Sequence, residues 1–359
     1  MAAERIRPLY AQKQMSQRTK PSTRADVARL AGVSESTVSY ALSGVRAISQ
    51  ETRERVLAVA LELGYTPNKM AQGLAGKRAG LVALMFPLSN RGLNLDDYEY
   101  VEAASRVLEA AGFQLLMWPN PVEDVDALKR IASQRLVDGV VLMELRTNDP
   151  RPDLLRKEGI PFVTIGRTDT GAGAAWVDAD FDAWGPLAVD ILTAKGHAST
   201  MFLSPPQQVV DSGYAPLSRI EGSLLASARA KGMKVVVSRT DWTIKAGRDA
   251  VLESFASPSQ ITSVVSFNEM ATIGALEGLT SLGKKVPSDV SVLQFGIDAA
   301  SAEATNPAQS TIGVDGRALG VKAAEFLLAR IEGKVDSLTY LRPPVYVDRG
   351  SVTTAPSLS

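Results

Sequence analysis

The chain has 359 residues, no cysteine, one histidine, and 39 basic against 39 acidic residues. The missing thiols exclude disulfides, thiol catalysis and cysteine-ligated zinc, and a single histidine excludes a multi-histidine metal centre. The zero net charge hides an asymmetry: residues 1–79 carry 13 Lys or Arg against 6 Asp or Glu, and the remainder 26 against 33. A basic head on an acidic body is the electrostatic footprint of a segment that binds phosphates.

Residues 1–21 read as a flexible polar arm. Met1–Lys20 has scattered charges and no apolar core, so no secretory signal is expected there. No run approaches the 18 apolar residues of a membrane span. The first helix starts at Thr23, where Thr23-Arg24-Ala25-Asp26 has the spacing of a capping box. Val27, Leu30 and Ala31 form its apolar stripe, and Gly32 ends it. Ser34 caps a second helix whose Val38, Ala41 and Leu42 face inward while Glu35, Ser36, Ser39 and Tyr40 face out. The short gap between these helices is that of a helix-turn-helix. A third helix follows the Ser49 cap, buries Val56, Val59, Ala60 and Leu63, and stops at Gly64 with Pro67 beyond. Residues 22–67 therefore read as a DNA-binding domain. Asn68–Ala75, within a linker at 68–79, is a helix-capable stretch short enough to be marginal alone.

From residue 80 onward short apolar runs alternate with amphipathic stretches. Strands are expected at Leu81–Phe86, Gln114–Trp118, Gly139–Met143, Phe162–Ile165, Thr200–Leu203, Lys234–Val237, Ser263–Ser266 and Ser291–Phe295. Helices are expected at Tyr98–Ala111, Val125–Gln134, Ala183–Lys195, Ser218–Lys231, Lys245–Ser254, Glu269–Leu282 and Arg317–Glu332. This order predicts parallel sheets covered by helices, in a body too long for one typical core. No phosphate-cradling GxxxxGK[ST] run and no nucleophile elbow is present, and the lone His197, in Lys195-Gly196-His197, reads as a structural surface-turn residue. Catalysis is not expected, and no cofactor.

The chain resembles the lactose-repressor (LacI) family of bacterial transcription regulators. The matching residues are Asp26-Val27-Ala28, Ala31-Gly32-Val33-Ser34, Thr37-Val38-Ser39, Thr52-Arg53, Leu63-Gly64-Tyr65-Thr66-Pro67-Asn68 and Ala71-Gln72-Gly73-Leu74. The resemblance covers roughly residues 22 to 355. It implies an all-α helix-turn-helix head plus hinge helix, joined to a two-lobed α/β core like that of periplasmic binding proteins. The N-lobe would be about 80–180 and 313–342 and the C-lobe about 181–312 and 343–359, with crossings near 181, 312 and 342. It implies DNA contacts from Thr23, Arg24, Ser34, Glu35, Ser36, Thr37, Ser39 and Tyr40 in the head, and from Asn68, Ala71, Gln72, Leu74 and Ala75 in the hinge. Leu74 holds the position of the leucine that wedges between base pairs in the minor groove. For the core it implies an effector site containing Tyr98, Arg167, Asp180, Arg219, Trp242, Asn268 and Gln294.

Two departures bear on specificity. Family members often carry Arg after Thr-Val-Ser, and here that position is Tyr40, so the operator sequence does not carry over. The usual Gly-Phe-Asp reads Gln294-Phe295-Gly296, without the Asp that often holds sugar hydroxyls. A different sugar, a nucleoside-like compound or a phosphorylated metabolite stays open as effector, as does a loss of effector response. The C-terminus has no leucine heptad, so a homodimer on a palindromic double-stranded operator is expected. The expected function is a cytoplasmic, nucleoid-associated transcription regulator, read as a repressor, with a small-molecule effector between the lobes. The alternative is a solute-binding protein without a DNA role.

Overall fold

A computed structural model describes residues 22–43, 46–65, 79–86, 95–119, 125–134, 136–169, 175–256, 260–334 and 338–357. The polar arm and the hinge segment, with Asn68, Ala71, Gln72, Leu74 and Ala75, lie outside the described residues. The chain divides into two compact units, Met1–Lys77 and Arg78–Ser359.

The first unit holds α1 (Arg24–Ala31), α2 (Glu35–Ser43) and α3 (Gln50–Glu62). The capping box forms: the Asp26 amide donates to Thr23 Oγ1, and the Thr23 amide donates to the Asp26 carboxylate at 3.0 Å. The Thr23 hydroxyl, which donates to Asp26 Oδ2 at 2.7 Å, and then the Thr23 amide hold the Asp26 carboxyl below its ordinary range. Gly32 takes φ 64° and closes α1. Ser34 Oγ accepts from the Thr37 amide at 3.1 Å, and Ser49 Oγ from Thr52 at 3.2 Å. A small core of Val27, Ala28, Ala31, Val38, Ala41, Val56 and Ala60 binds the three helices. The expected stripe is corrected at Leu30, which is 52% exposed, because Ala28 faces the core in its place. Val59 and Leu63 are only partly buried.

The second unit is two six-stranded sheets. The first has the order β11-β5-β4-β3-β1-β2, with β1 (Leu81–Phe86), β2 (Gln114–Pro119), β3 (Gly139–Leu142), β4 (Phe162–Ile165), β5 (Ala175–Ala179) and β11 (Thr339–Arg342). The second has the order β12-β10-β9-β8-β6-β7, with β6 (Ser199–Ser204), β7 (Lys234–Arg239), β8 (Ser263–Ser266), β9 (Ser291–Phe295), β10 (Ser310–Gly313) and β12 (Val345–Val347). All pairings are parallel except β10 with β12, a correction to the expectation of parallel sheets throughout. The chain enters the second lobe between β5 and β6, returns after β10, and leaves the first lobe again between β11 and β12.

The helices fill in chain order: α4 (Leu95–Ala110), α5 (Val125–Ser133), α6 (Arg151–Lys157), α7 (Trp184–Ala194), α8 (Gln207–Asp211), α9 (Ala215–Ala230), α10 (Ile244–Ser254), α11 (Glu269–Ser281), α12 (Ala299–Ala304) and α13 (Gly316–Ile331). The four strands that the apolar runs do not show are β5, β10, β11 and β12. β5, β10 and β11 carry polar residues and β12 is only three residues long, so none stands out as an extended apolar run. His197 is buried, against the surface turn expected for it. Its ring bonds Thr262 Oγ1 at 2.8 Å and the Thr353 carbonyl at 3.0 Å, and burial pushes its pKa down. One apolar cluster runs through both lobes, from Val82, Leu84 and Phe86 to Phe202, Leu293 and Phe295.

Candidate functional site

Two places collect side chains that secondary structure does not need. The first is the outer face of α2. Glu35 and Ser36 are exposed, and Ser39 and Tyr40 are partly so. Glu35 accepts from Arg24 Nε at 3.0 Å, so two expected DNA contacts form an exposed ion pair with each other. Ser34 Oγ lies 2.7 Å from Ser36 Oγ and 2.8 Å from Thr37 Oγ1, a hydroxyl cluster at the N-terminus of α2. The Arg46 guanidinium sits 5.6 Å from the centroid of the Tyr40 ring. Arg46 is absent from the residues the sequence marks. It follows α2 in irregular backbone, where no periodicity places it, and only the ring contact singles it out. A cation held over an aromatic face beside a hydroxyl cluster is suited to a phosphate or base edge.

The second place is a cavity between the two sheets of the body, at the carboxyl ends of their strands, where ligands of such folds sit. The first lobe gives it Glu144 and Leu145 after β3, Arg167 after β4 and Asp178 in β5. The second gives Tyr214 and Arg219 at the start of α9, Phe267 after β8 and Gly296 after β9. Phe181 and Trp184, at the first crossing, form its aromatic wall, with ring centroids 4.9 Å apart.

Arg167 carries much of the electrostatics. Its Nε donates to Asp178 at 3.1 Å and its Nη2 to Asp182 at 2.6 Å, with Asp180 3.7 Å away. Arg219 donates through Nη1 to the Arg167 carbonyl at 3.0 Å and through Nη2 to Asp169 at 2.8 Å. Burial pushes the Asp178 carboxyl up to about 7, against the pull of Arg167 and Arg219. Both guanidinium groups therefore already face carboxylates.

Of the expected effector residues, Arg167 and Arg219 line the cavity, and Asp180 joins their ion-pair cluster. Tyr98 is 56% exposed on α4, where Asp97 and Tyr100 line the cavity instead. Trp242, in the turn before α10, is not among the lining residues. Asn268 is buried as the cap of α11: Oδ1 accepts from the Ala271 amide at 3.0 Å, and Nδ2 donates to the Thr240 and Asp241 carbonyls. Gln294 is buried with Oε1 accepting from Thr272 Oγ1 and Nε2 donating to the Phe295 carbonyl. The missing Asp has a local counterpart. A Cβ on Gly296 would meet Phe267 at 3.3 Å and Trp184 at 3.4 Å, so aromatic rings fill the space of a polar side chain.

Glu144, Asp178, Tyr214 and Trp184 are lining residues the sequence does not mark. Glu144 alone carries a signal, detectable only in the backbone: it is the one non-glycine residue with positive φ among the described residues, at 53°. No group of acidic or histidine side chains able to hold a metal ion occurs among the described residues, and no helix there is long and apolar enough to cross a membrane.

Comparison with known proteins bears on both places. Residues 23–68 match the model of bacterial regulatory proteins of the lacI family, and residues 189–352 that of a periplasmic binding protein-like domain. The HTH-type transcriptional regulator CelR of Thermobifida fusca is 30% identical over 328 residues, 89% of this chain and 94% of that protein. RafR of Escherichia coli is 31% identical over 261 residues, 72% of this chain and 76% of the relative. Among solved structures, a CelR–cellobiose complex aligns at 27% identity with a TM-score of 0.66, over 92% of this chain and 99% of that one. The lac repressor dimer bound to operator aligns at 24% identity with a TM-score of 0.79, over 93% and 100%. The head motif and the extent of these matches make the chain a member of the LacI family of HTH-type transcriptional regulators.

Proposed function

We propose that this DNA-binding transcription regulator reads its operator through α2 and answers to an uncharged, ring-shaped small molecule held between Arg167 and Arg219. The observation that carries the effector half is the meeting of those two arginines, from opposite lobes, at the strand ends of both sheets. Both arginines already face carboxylates, so a phosphorylated ligand would have to displace Asp169, Asp178 or Asp182. A sugar ring can stack on Phe181, Trp184 or Phe267 and present hydroxyls to Asp178 and Arg219. The CelR structure, a relative's complex with cellobiose, supports a sugar.

In the head, Ser34, Ser36, Thr37 and Ser39 supply hydroxyls, and Tyr40 with Arg46 reads or positions one base pair. Thr23 and Arg24 serve the backbone, and Glu35 is released from Arg24 when DNA draws the guanidinium to a phosphate. The hinge residues Asn68, Ala71, Gln72, Leu74 and Ala75 complete the half-site through the minor groove, in a homodimer on a palindrome. The protein acts as a repressor in the cytoplasm, on the nucleoid. Two measurements test this reading. A thermal-shift screen of neutral sugars against sugar phosphates should find neutral binders that Arg167→Ala loses. Binding-site selection with Tyr40→Ala should relax one position per half-site by about 1–3 kcal/mol. Sugar binding unaltered by Arg167→Ala would remove the cavity from the reading, and an unaltered site preference would make Tyr40 a phosphate contact.

A further inference from the structure

The start of α9, Gly213 to Arg219, belongs to the second lobe, yet its hydrogen bonds run to the first. The Thr147 amide donates to the Gly213 carbonyl at 2.8 Å, and the Ala215 amide to the Leu145 carbonyl at 3.0 Å. Arg146 and Tyr214 form an antiparallel bridge. Tyr214 Oη donates to Glu144 Oε1 at 2.9 Å, and Arg219 reaches the Arg167 carbonyl and Asp169. Two strand ends of one lobe are thus laced to one helix turn of the other, across the mouth of the cavity.

Both jaws are built for this. On the first lobe, the buried Asp149–Arg151 pair braces the loop: Arg151 Nη2 donates to the Met143 and Glu144 carbonyls, each at 3.1 Å, and Asp149 accepts from the Arg146 amide. That brace holds Glu144 at its positive φ, a backbone state uncommon for a non-glycine residue that persists where the surroundings impose it. On the second lobe, Gly213 has φ 71°, and a Cβ there would stand 3.2 Å from Thr147 Oγ1. α9 has no side-chain N-cap, so the Leu145 carbonyl of the other lobe satisfies one of its orphan amides.

With the clasp made, the cavity is about 70 Å³. Pockets that hold a small ligand run to about 300–1,000 Å³. A ring-sized ligand and the clasp therefore compete for the same space. We propose that Glu144 and Tyr214 are positioning residues that clasp the lobes together without ligand, and that the effector binds at the clasp's expense, taking over Arg219 as it opens. This rests on the effector-site reading above. It has a consequence opposite to that of a ligand contact: weakening the clasp raises effector affinity, because the apparent Kd falls as the open fraction grows.

The test uses the full chain as wild type, Tyr214→Phe and Arg146→Cys/Tyr214→Cys, the last pair being directly opposed bridge residues whose backbone spacing suits a disulfide. No native cysteine interferes with the pair. Hydrogen exchange followed without ligand should show the Thr147 and Ala215 amides exchanging about tenfold faster in Tyr214→Phe, with Val264 and Leu293 unchanged. The probe panel is cellobiose, raffinose, glucose and methyl β-glucoside, read by calorimetry. Panel binders should bind Tyr214→Phe several-fold more tightly, should not bind the oxidised double variant, and should bind it again on reduction. Unchanged exchange, weaker binding to Tyr214→Phe, or binding to the oxidised variant overturns the clasp while leaving the cavity reading in place. Binders that ignore Arg167→Ala, or a panel with no binder, overturn the cavity reading and the clasp with it.

Discussion

The head and the body solve opposite problems. In the head, each feature that matters is local: a cap within three residues, a glycine at a helix end, hydroxyls side by side on one turn of α2. Its core is seven small or β-branched residues. In the body the site is made of pairs far apart in the chain, such as Arg219 with Arg167 and Tyr214 with Glu144. The contrast teaches where substitution effects should fall. Changes in the head act through short motifs and small energies. Changes in the body act through packing and cross-lobe bonds and are larger.

The strongest test of that contrast is Gly274→Ala. Gly274 and Gly247 let α10 and α11 touch backbone to backbone, and a Cβ on Gly274 would collide with the Ile244 carbonyl. Overpacking against immovable backbone should cost about 3 kcal/mol or more. Denaturant unfolding should show the body transition shifted and the helical signal of the head retained. A head transition that moved equally would show that the two units do not unfold independently.

Next in size is the pH dependence of the body. Asp178 has a folded pKa near 7 against an ordinary 3.8. The folded state then keeps the proton longer than the unfolded one, so stability falls as pH rises from about 4 to about 7 and is level above. The swing is on the order of a few kcal/mol and should flatten in Asp178→Asn. Melting of both proteins from pH 4 to 8 decides it. Equal slopes would place the titration elsewhere.

Arg219→Ala sharpens the contrast in function. Specific operator binding should be retained while the effector response, worth about 1–3 kcal/mol of coupling, disappears. Operator titrations with and without a bound sugar measure it. A variant that keeps wild-type effector affinity would take Arg219 out of the site.

The smallest effect belongs to the head. Ser49→Ala removes the cap of α3, whose Oγ accepts from the Thr52 amide, and should cost about 1 kcal/mol. The loss should appear in the head's melting alone. A shift in the body's melting would break the separation of the two units.

The sequence by itself determined the head and the frame of the body. Thr23, Gly32, Ser34 and Ser49 are legible because a cap or a helix stop needs only its neighbours within a few residues. The strands Leu81–Phe86, Phe162–Ile165, Ser263–Ser266 and Ser291–Phe295 are legible because strands buried on both faces read as short runs dominated by apolar, β-branched or aromatic residues. Arg167 and Arg219 were readable as cavity residues through resemblance. Tertiary structure alone decided the rest. Asn268 and Gln294 carry polar groups suited to a ligand, but the buried amides and hydroxyls around them claim those groups first. Glu144 and Tyr214 look like ordinary loop residues until two strand ends and a helix turn, about 70 residues apart, are brought face to face. A cap is fixed by sequence separation, whereas a cross-lobe bond exists only where packing has already set the distance.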